Sequence, residues 1–157
     1  MERFEIRQVN MTVPRKLKVF LCHASQDKPV VRDLYHHLVA EDWINPWLDE
    51  EELLPGQDWN LEIEKAVESA DAVIVCVSSI SAKKEGYVQR ELRRVLDIAQ
   101  EKLEGAVFVL PVRLDDCELP RQLRDRQFVN YFPESQRAIV FEKLKKSLML
   151  RRDALGI

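Results

Sequence analysis

Glycine is scarce in this chain. Its 157 residues include four, at positions 56, 86, 105 and 156, too far apart to form a Gly-rich phosphate loop. Such a loop needs closely spaced glycines so that backbone N–H groups can approach a phosphate. A P-loop NTPase and a Rossmann dehydrogenase are excluded on that ground. Cysteine is also rare. Cys22, Cys76 and Cys117 are three in number, without the paired spacing of a zinc site. Cys22 and Cys76 lie inside apolar runs, as buried thiols of a reducing compartment do. Charge of one sign is missing too. The 24 Lys and Arg are interspersed among 27 Asp and Glu, giving a net charge of −3 and no basic footprint for nucleic acid. No apolar run approaches the length of a membrane span, and MERFEIRQVNMTVPRK lacks the apolar core of a secretory signal. These absences predict a cytoplasmic protein that binds neither membrane nor nucleic acid.

What is present is an alternation. Of the residues, 46% are hydrophobic, enough for a single core in one domain of this size. Short apolar runs, LKVFLC (17–22), INPWL (44–48), DAVIVCVS (71–78), AVFVLPVRL (106–114) and FVNYF (128–132), alternate with helical patterns near 28–41, 58–69, 86–100 and 135–151. Apolar, β-branched runs without polar alternation read as strands buried on both faces. Strands that alternate with helices imply right-handed crossovers and a parallel sheet. The expected fold is α/β: a flavodoxin-like three-layer sandwich with a five-stranded parallel sheet of order 2-1-3-4-5. Residues 1–15 lie outside the pattern as an N-terminal arm or extra edge strand, and 16–157 form the domain. Pro46 and Pro111 fall within expected strands and cannot donate to a ladder, so each belongs at a strand end, an edge or a bulge. That places the second strand at the outside.

In such sheets ligands bind beyond the carboxyl ends of the strands, where the order reverses between the first and third. The loops there are HASQD (23–27) and SSISAKKEGY (78–87), with DEEELLPGQDW (49–59) beside them. A response-regulator receiver shares the order but needs paired acids after the first strand and an aspartate ending the third. This chain has HAS and SS in those places. The helix GYVQRELRRVLDIAQ carries an apolar stripe of Val88, Leu92, Val95, Leu96, Ala99 and Leu103. Glu91 sits on its edge, within reach of the crevice. It is a helix-flank carboxylate paired with Arg94, or a placed catalytic group.

KVFLCHASQDK, WLDEEELLPGQDWNLEIEKAVESADAVIVCVSS and GYVQREL occur in that order. Together they resemble the Toll/interleukin-1 receptor (TIR) domain family over nearly all of 17–151. The first is similar to the first TIR box, and the second to the BB loop and the segment after it. The third is similar to the W-x-x-x-E pattern of the enzymatic, bacterial-type members, with Tyr87 in the Trp place. The resemblance implies one of two functions. Some TIR domains are non-catalytic interaction modules that associate with one another. Others cleave NAD+ in defence or immune signalling, releasing nicotinamide and ADP-ribose or a cyclic isomer, and depend on a glutamate in the place of Glu91. For this chain the resemblance implies NAD+ as substrate, no resident cofactor or metal, and homotypic self-association through the loop Leu53, Leu54, Pro55 and Gly56. Further domains of a longer chain are compatible with it.

The chemistry suits so small a residue set. Nicotinamide leaves a pyridinium glycoside as a neutral molecule and needs no general acid, unlike the oxygen leaving group of ordinary glycosides. One carboxylate can hold the ribose hydroxyls and stabilise the developing oxocarbenium charge. Tyr87 precedes Glu91 by one helical turn, so the pair can face one space, with Tyr87 stacking on substrate or simply packing. His23 is equally placed to contact a phosphate or ribose or to cap the next helix. Ser25 and Ser78 fall at the crevice, as substrate contacts or as loop and cap residues. Asp49 opens an acidic loop that is a solvated turn or a lid, and is carried as a substrate-binding candidate. His36 and His37 stand mid-helix without a ligating partner at metal spacing.

Overall fold

The computed structural model describes residues 15–48, 52–83, 93–95, 97–98 and 108–157. In chain order these form β1 (Leu17–Cys22), α1 (Lys28–Val39), β2 (Ile44–Trp47), α2 (Trp59–Ser69), β3 (Ala72–Val77), α3 (Ser79–Lys83), β4 (Phe108–Arg113), β5 (Val129–Asn130) and α4 (Arg137–Leu155). Short 3-10 turns occupy Ser25–Asp27, Arg121–Leu123 and Glu134–Gln136. The strands make one five-stranded sheet of order β2-β1-β3-β4-β5, and every neighbouring pair is parallel. This is the expected order and direction.

β3 is central, and all six of its residues are buried. Alternate side chains therefore enter two cores. Ala72, Ile74 and Cys76 join Leu17, Val19 and Leu21 of β1 under α1 and α4, where Leu34, Leu38, Phe141, Leu144 and Leu148 close the layer. Val73, Val75 and Val77 join Phe20, Val67 and Val95 on the opposite face, capped by Leu119 and Leu123. Val95 is a member of the apolar stripe read from the sequence, and 93–95 and 97–98 are helical. Trp47 stacks on Phe20 with ring centroids 5.1 Å apart, a core contact.

Both strand prolines spare the ladder. The Trp43 carbonyl faces β1, where it accepts from the Leu17 N–H at 2.9 Å. Side alternates along a strand, so Pro46 turns its nitrogen to the open outer edge of β2. The Arg113 carbonyl faces β5, accepting from Tyr131 N–H at 2.8 Å, while Leu114 N–H faces β3, donating to Val77 at 2.8 Å. Pro111 therefore also points outward, below the place where β5 starts at the level of Val112.

Two expectations change. β5 is two residues rather than the whole of FVNYF. Phe128 and Phe132 instead lie against the Arg113 guanidinium, whose carbon is 5.0 and 5.6 Å from their ring centroids. The stretch after β3, read as a polar loop, starts as helix α3. Arg15, just before β1, makes a bidentate pair with Asp71 at 2.7 and 2.9 Å. Among the described residues no helix is long and apolar enough to cross a membrane.

Candidate functional site

From β1 the chain proceeds to β2 on one side of the sheet, and from β3 to β4 on the other. The carboxyl ends of β1 and β3 therefore flank the topological switch point. Two residues just beyond these strands are polar and buried. Asp27 is 7% exposed and Ser78 is 3% exposed. The Ser78 hydroxyl donates to Asp27 Oδ2 at 2.9 Å, joining the β1 loop to the end of β3.

Asp27 occupies the N-cap position of α1, yet its side chain makes no capping bond there. It is turned across the switch point instead. Burial drives its carboxyl above the usual carboxylate range; the Ser78 hydrogen bond opposes this, the charge of Asp115 adds to it, and His23 opposes it. The contrast with α2 is direct. There Asp58 is the N-cap and accepts from Leu61 N–H at 3.1 Å in the ordinary way.

Ser78 caps α3. Its hydroxyl accepts from Ser81 N–H at 3.1 Å, and its own N–H donates to Ser81 Oγ at 2.8 Å, a reciprocal capping box. The Ser81 hydroxyl also donates to the Ser78 carbonyl at 3.0 Å. A third strand end contributes. Asp115, in the loop after β4, accepts from Ser79 N–H at 2.8 and 3.1 Å and from the Ser79 hydroxyl at 2.7 Å. Cys117 Sγ lies 3.6 Å from the Val77 carbonyl, holding that loop against β3.

Of the site residues read from the sequence, His23 and Ser78 come together around Asp27. His23 is half-buried just beyond β1. Ser25 is exposed, its hydroxyl 3.5 Å from Gln26 Oε1. Asp49, Tyr87 and Glu91 lie outside the described residues. Arg94, offered as a partner for Glu91, is ion-paired with Glu64 of α2. The loop Leu53–Gly56 is described: Leu53 is half-buried, and Leu54 is 66% exposed. Asp115 is a site residue that the sequence reading does not include. A signal for it exists, because a residue just past any inner parallel strand falls on the ligand-bearing edge, and β4 is such a strand as much as β1 and β3 are. Among the described residues no three His, Cys, Asp or Glu converge as a metal site.

Among the described residues, hollows also lie elsewhere. A groove of about 480 Å³ runs along the free edge of β4 against α4, between Phe108, Phe128 and Lys143. A smaller one of about 160 Å³ sits between β1, β2 and α2.

A TIR-domain family model matches residues 19–145. The chain belongs to the TIR domain family. Among solved structures it is similar to the TIR domain of the Toll-related receptor TRR-2 from Hydra magnipapillata, at 19% identity and TM-score 0.66, over 85% of this chain and 99% of that one. It is also similar to a metazoan TIR-STING receptor from C. gigas, solved with 2′,3′-cGAMP, at 17% identity and TM-score 0.64, over 82% of this chain and 39% of that one. The TIR domains of the activated Roq1 resistosome, which recognises the effector XopQ, align at 26% identity and TM-score 0.54, over 88% of this chain and 80% of that one. The first two likenesses speak to the fold alone. Comparison with curated proteins gave no match.

Proposed function

We propose that this TIR domain cleaves the nicotinamide–ribose bond of NAD+, giving nicotinamide and ADP-ribose or a cyclic isomer, as the bacterial-type enzymatic members do. The observation that carries the reading is the buried polar seam at the switch point, where Asp27 and Ser78 join the ends of β1 and β3 beside His23. A parallel α/β sheet takes its ligands there. Glu91 is assigned as the essential carboxylate. It holds the ribose hydroxyls and stabilises positive charge at the anomeric carbon as neutral nicotinamide departs. Tyr87, His23, Ser25, Ser78 and Asp49 are assigned as the substrate contacts. NAD+ is substrate, with no resident cofactor.

The test is incubation with NAD+, in dilute solution and under forced clustering, with products resolved by chromatography and mass. Glu91→Gln should lower turnover by about 10²–10³-fold, the usual cost of losing one preorganised charge-stabilising group. Wild-type protein that releases no nicotinamide even when clustered would sink the reading.

The second reading is an interaction module that works by TIR–TIR association alone. Leu54 favours it, standing 66% exposed on a closed turn. The Roq1 TIR domains were solved as part of an activated resistosome. Association without nicotinamide release would select this alternative.

A further inference from the structure

Asp27 stands at the N-cap of α1, a helix of twelve residues, and forgoes the capping bond that a residue of its type ordinarily makes there. Its carboxyl lies at the switch point instead, with Oδ2 taken by the Ser78 hydroxyl. Ser78 does not need that acceptor in order to cap α3, since the same hydroxyl already accepts from Ser81 N–H. Oδ1 of Asp27 is in a different position. Among the described residues Ser78 is the one hydrogen-bond partner of the Asp27 side chain, and Oδ1 is not one of the unpaired atoms sealed from solvent. A carboxyl that is 7% exposed and uses half of its acceptor capacity is costly to keep. It is kept where a parallel α/β sheet takes its ligands.

A donor from outside the chain would complete Oδ1. Phosphate is the wrong chemistry, because it brings a like charge to a carboxyl that already feels Asp115, with His23 offsetting part of that charge. A sugar hydroxyl is the right one, and a cationic ring attached to the same sugar suits the local negative charge. We propose that Asp27 is a further substrate contact: its Oδ1 accepts a hydrogen bond from a hydroxyl of the ribose that bears the cationic nicotinamide, while Ser78 holds Oδ2. This assignment rests on the NAD+-cleaving reading.

The test is a cycle of two changes, one in the protein and one in the substrate. kcat/KM is measured for NAD+ and for its 2′-deoxy and 3′-deoxy analogues on the nicotinamide ribose, with the wild type and with Asp27→Asn. The variant keeps an oxygen for Ser78 and loses the charge. It should lower kcat/KM for NAD+ by about 10–100-fold, the range of a hydrogen bond to a charged group. The wild type should lose a similar factor with one of the deoxy analogues, whereas Asp27→Asn should lose less than about threefold more with that analogue. Analogue penalties that are equal in the two proteins overturn the contact and leave Asp27 a structural residue. Should Asp27→Asn not accumulate, Ser78→Ala, which releases Oδ2, is read in the same way: a smaller penalty supports the contact and an unchanged one overturns it. If the wild type releases no nicotinamide even when clustered, the cleavage reading fails by itself. The cycle is then repeated on calorimetric affinities for the same three nucleotides, where coupling upholds the contact and absent binding or absent coupling overturns it.

Discussion

At the residue scale, two carboxylates at opposite ends of β3 have opposite environments and opposite pH signatures. Asp71 is largely buried, and burial alone would raise its pKa. The bidentate Arg15 pair and the Lys18 N–H at 2.8 Å outweigh that and hold it below its ordinary 3.8. Its stability contribution is present above that ordinary value and is lost as pH falls through the lower, folded one. Asp27 is raised above the same 3.8, mainly by burial. The folded state then binds the extra proton, so stability declines as pH rises from the ordinary value through the raised one. Asp71→Asn should cost about 1–2 kcal/mol at neutral pH, the low end for hydrogen bonds to a charged group because Arg15 is half exposed. It should also flatten the acid limb of stability below about pH 4. Asp27→Asn should remove the opposite slope. Urea melts from pH 3 to 7 measure both, and an Asp71→Asn curve parallel to the wild type's would contradict the assignment. Burial governs the thiols as well. Cys117 is pushed up to about 11 and buried Cys76 is raised, so at pH 8 neither should alkylate with iodoacetamide until the protein is unfolded.

At the scale of elements, the loop before α2 is built around a tight turn. Gln57 N–H donates to the Leu54 carbonyl at 3.1 Å, and the Gln57 side chain accepts from Leu54 N–H at 2.7 Å. Pro55 sets the first corner and Gly56, at φ +89°, the second, as a type II turn requires. Gly56→Ala meets no neighbouring atom yet is forced into that left-handed backbone. It should cost about 1–2 kcal/mol, read as a fall in melting temperature, and no loss would mean that the turn re-forms. Pro-Gly is local information, as are the unbroken apolar runs of β1 and β3 and the proline that places β2 outermost. All of these were legible in the sequence. β5 was legible as an apolar run but not in length, because Phe128 and Phe132 are drawn to Arg113, a choice made between strands. α3 was hidden for a similar reason. Its described residues, Ser79–Lys83, are too few to show a helical period, and its start stands on bonds to Ser78 and Asp115. The site divides along the same line. His23 and Ser78 were legible from strand ends and order, whereas Asp27 as the acceptor for Ser78 and Asp115 as the acceptor for Ser79 depend on pairings 51 and 36 residues apart in sequence.

For the whole molecule, the question is whether a single copy is the working unit. A leucine buried in the core would explain the Leu53–Leu54 pair without any partner. Leu53 takes that role in part, being half-buried. Leu54 does not: it is 66% exposed, on a turn whose backbone is closed by its own hydrogen bonds. An exposed leucine held on a preformed turn presents its apolar surface to a partner at little ordering cost, which is what an interface anchor needs. Leu54→Asp separates assembly from folding. Since the side chain contributes little to the core, the variant should melt within a few degrees of the wild type, a change of about 0.5 kcal/mol or less. A buried charge inside an apolar interface is costly, so self-association and NAD+ turnover should fall together. Turnover per molecule in the wild type should rise with protein concentration, and in the variant it should stay low and flat. Light scattering and nicotinamide release across a dilution series give both readings. Turnover that is unchanged by the substitution and linear in protein concentration removes this loop as an assembly element, and a collapsed melting temperature would instead return Leu54 to the core.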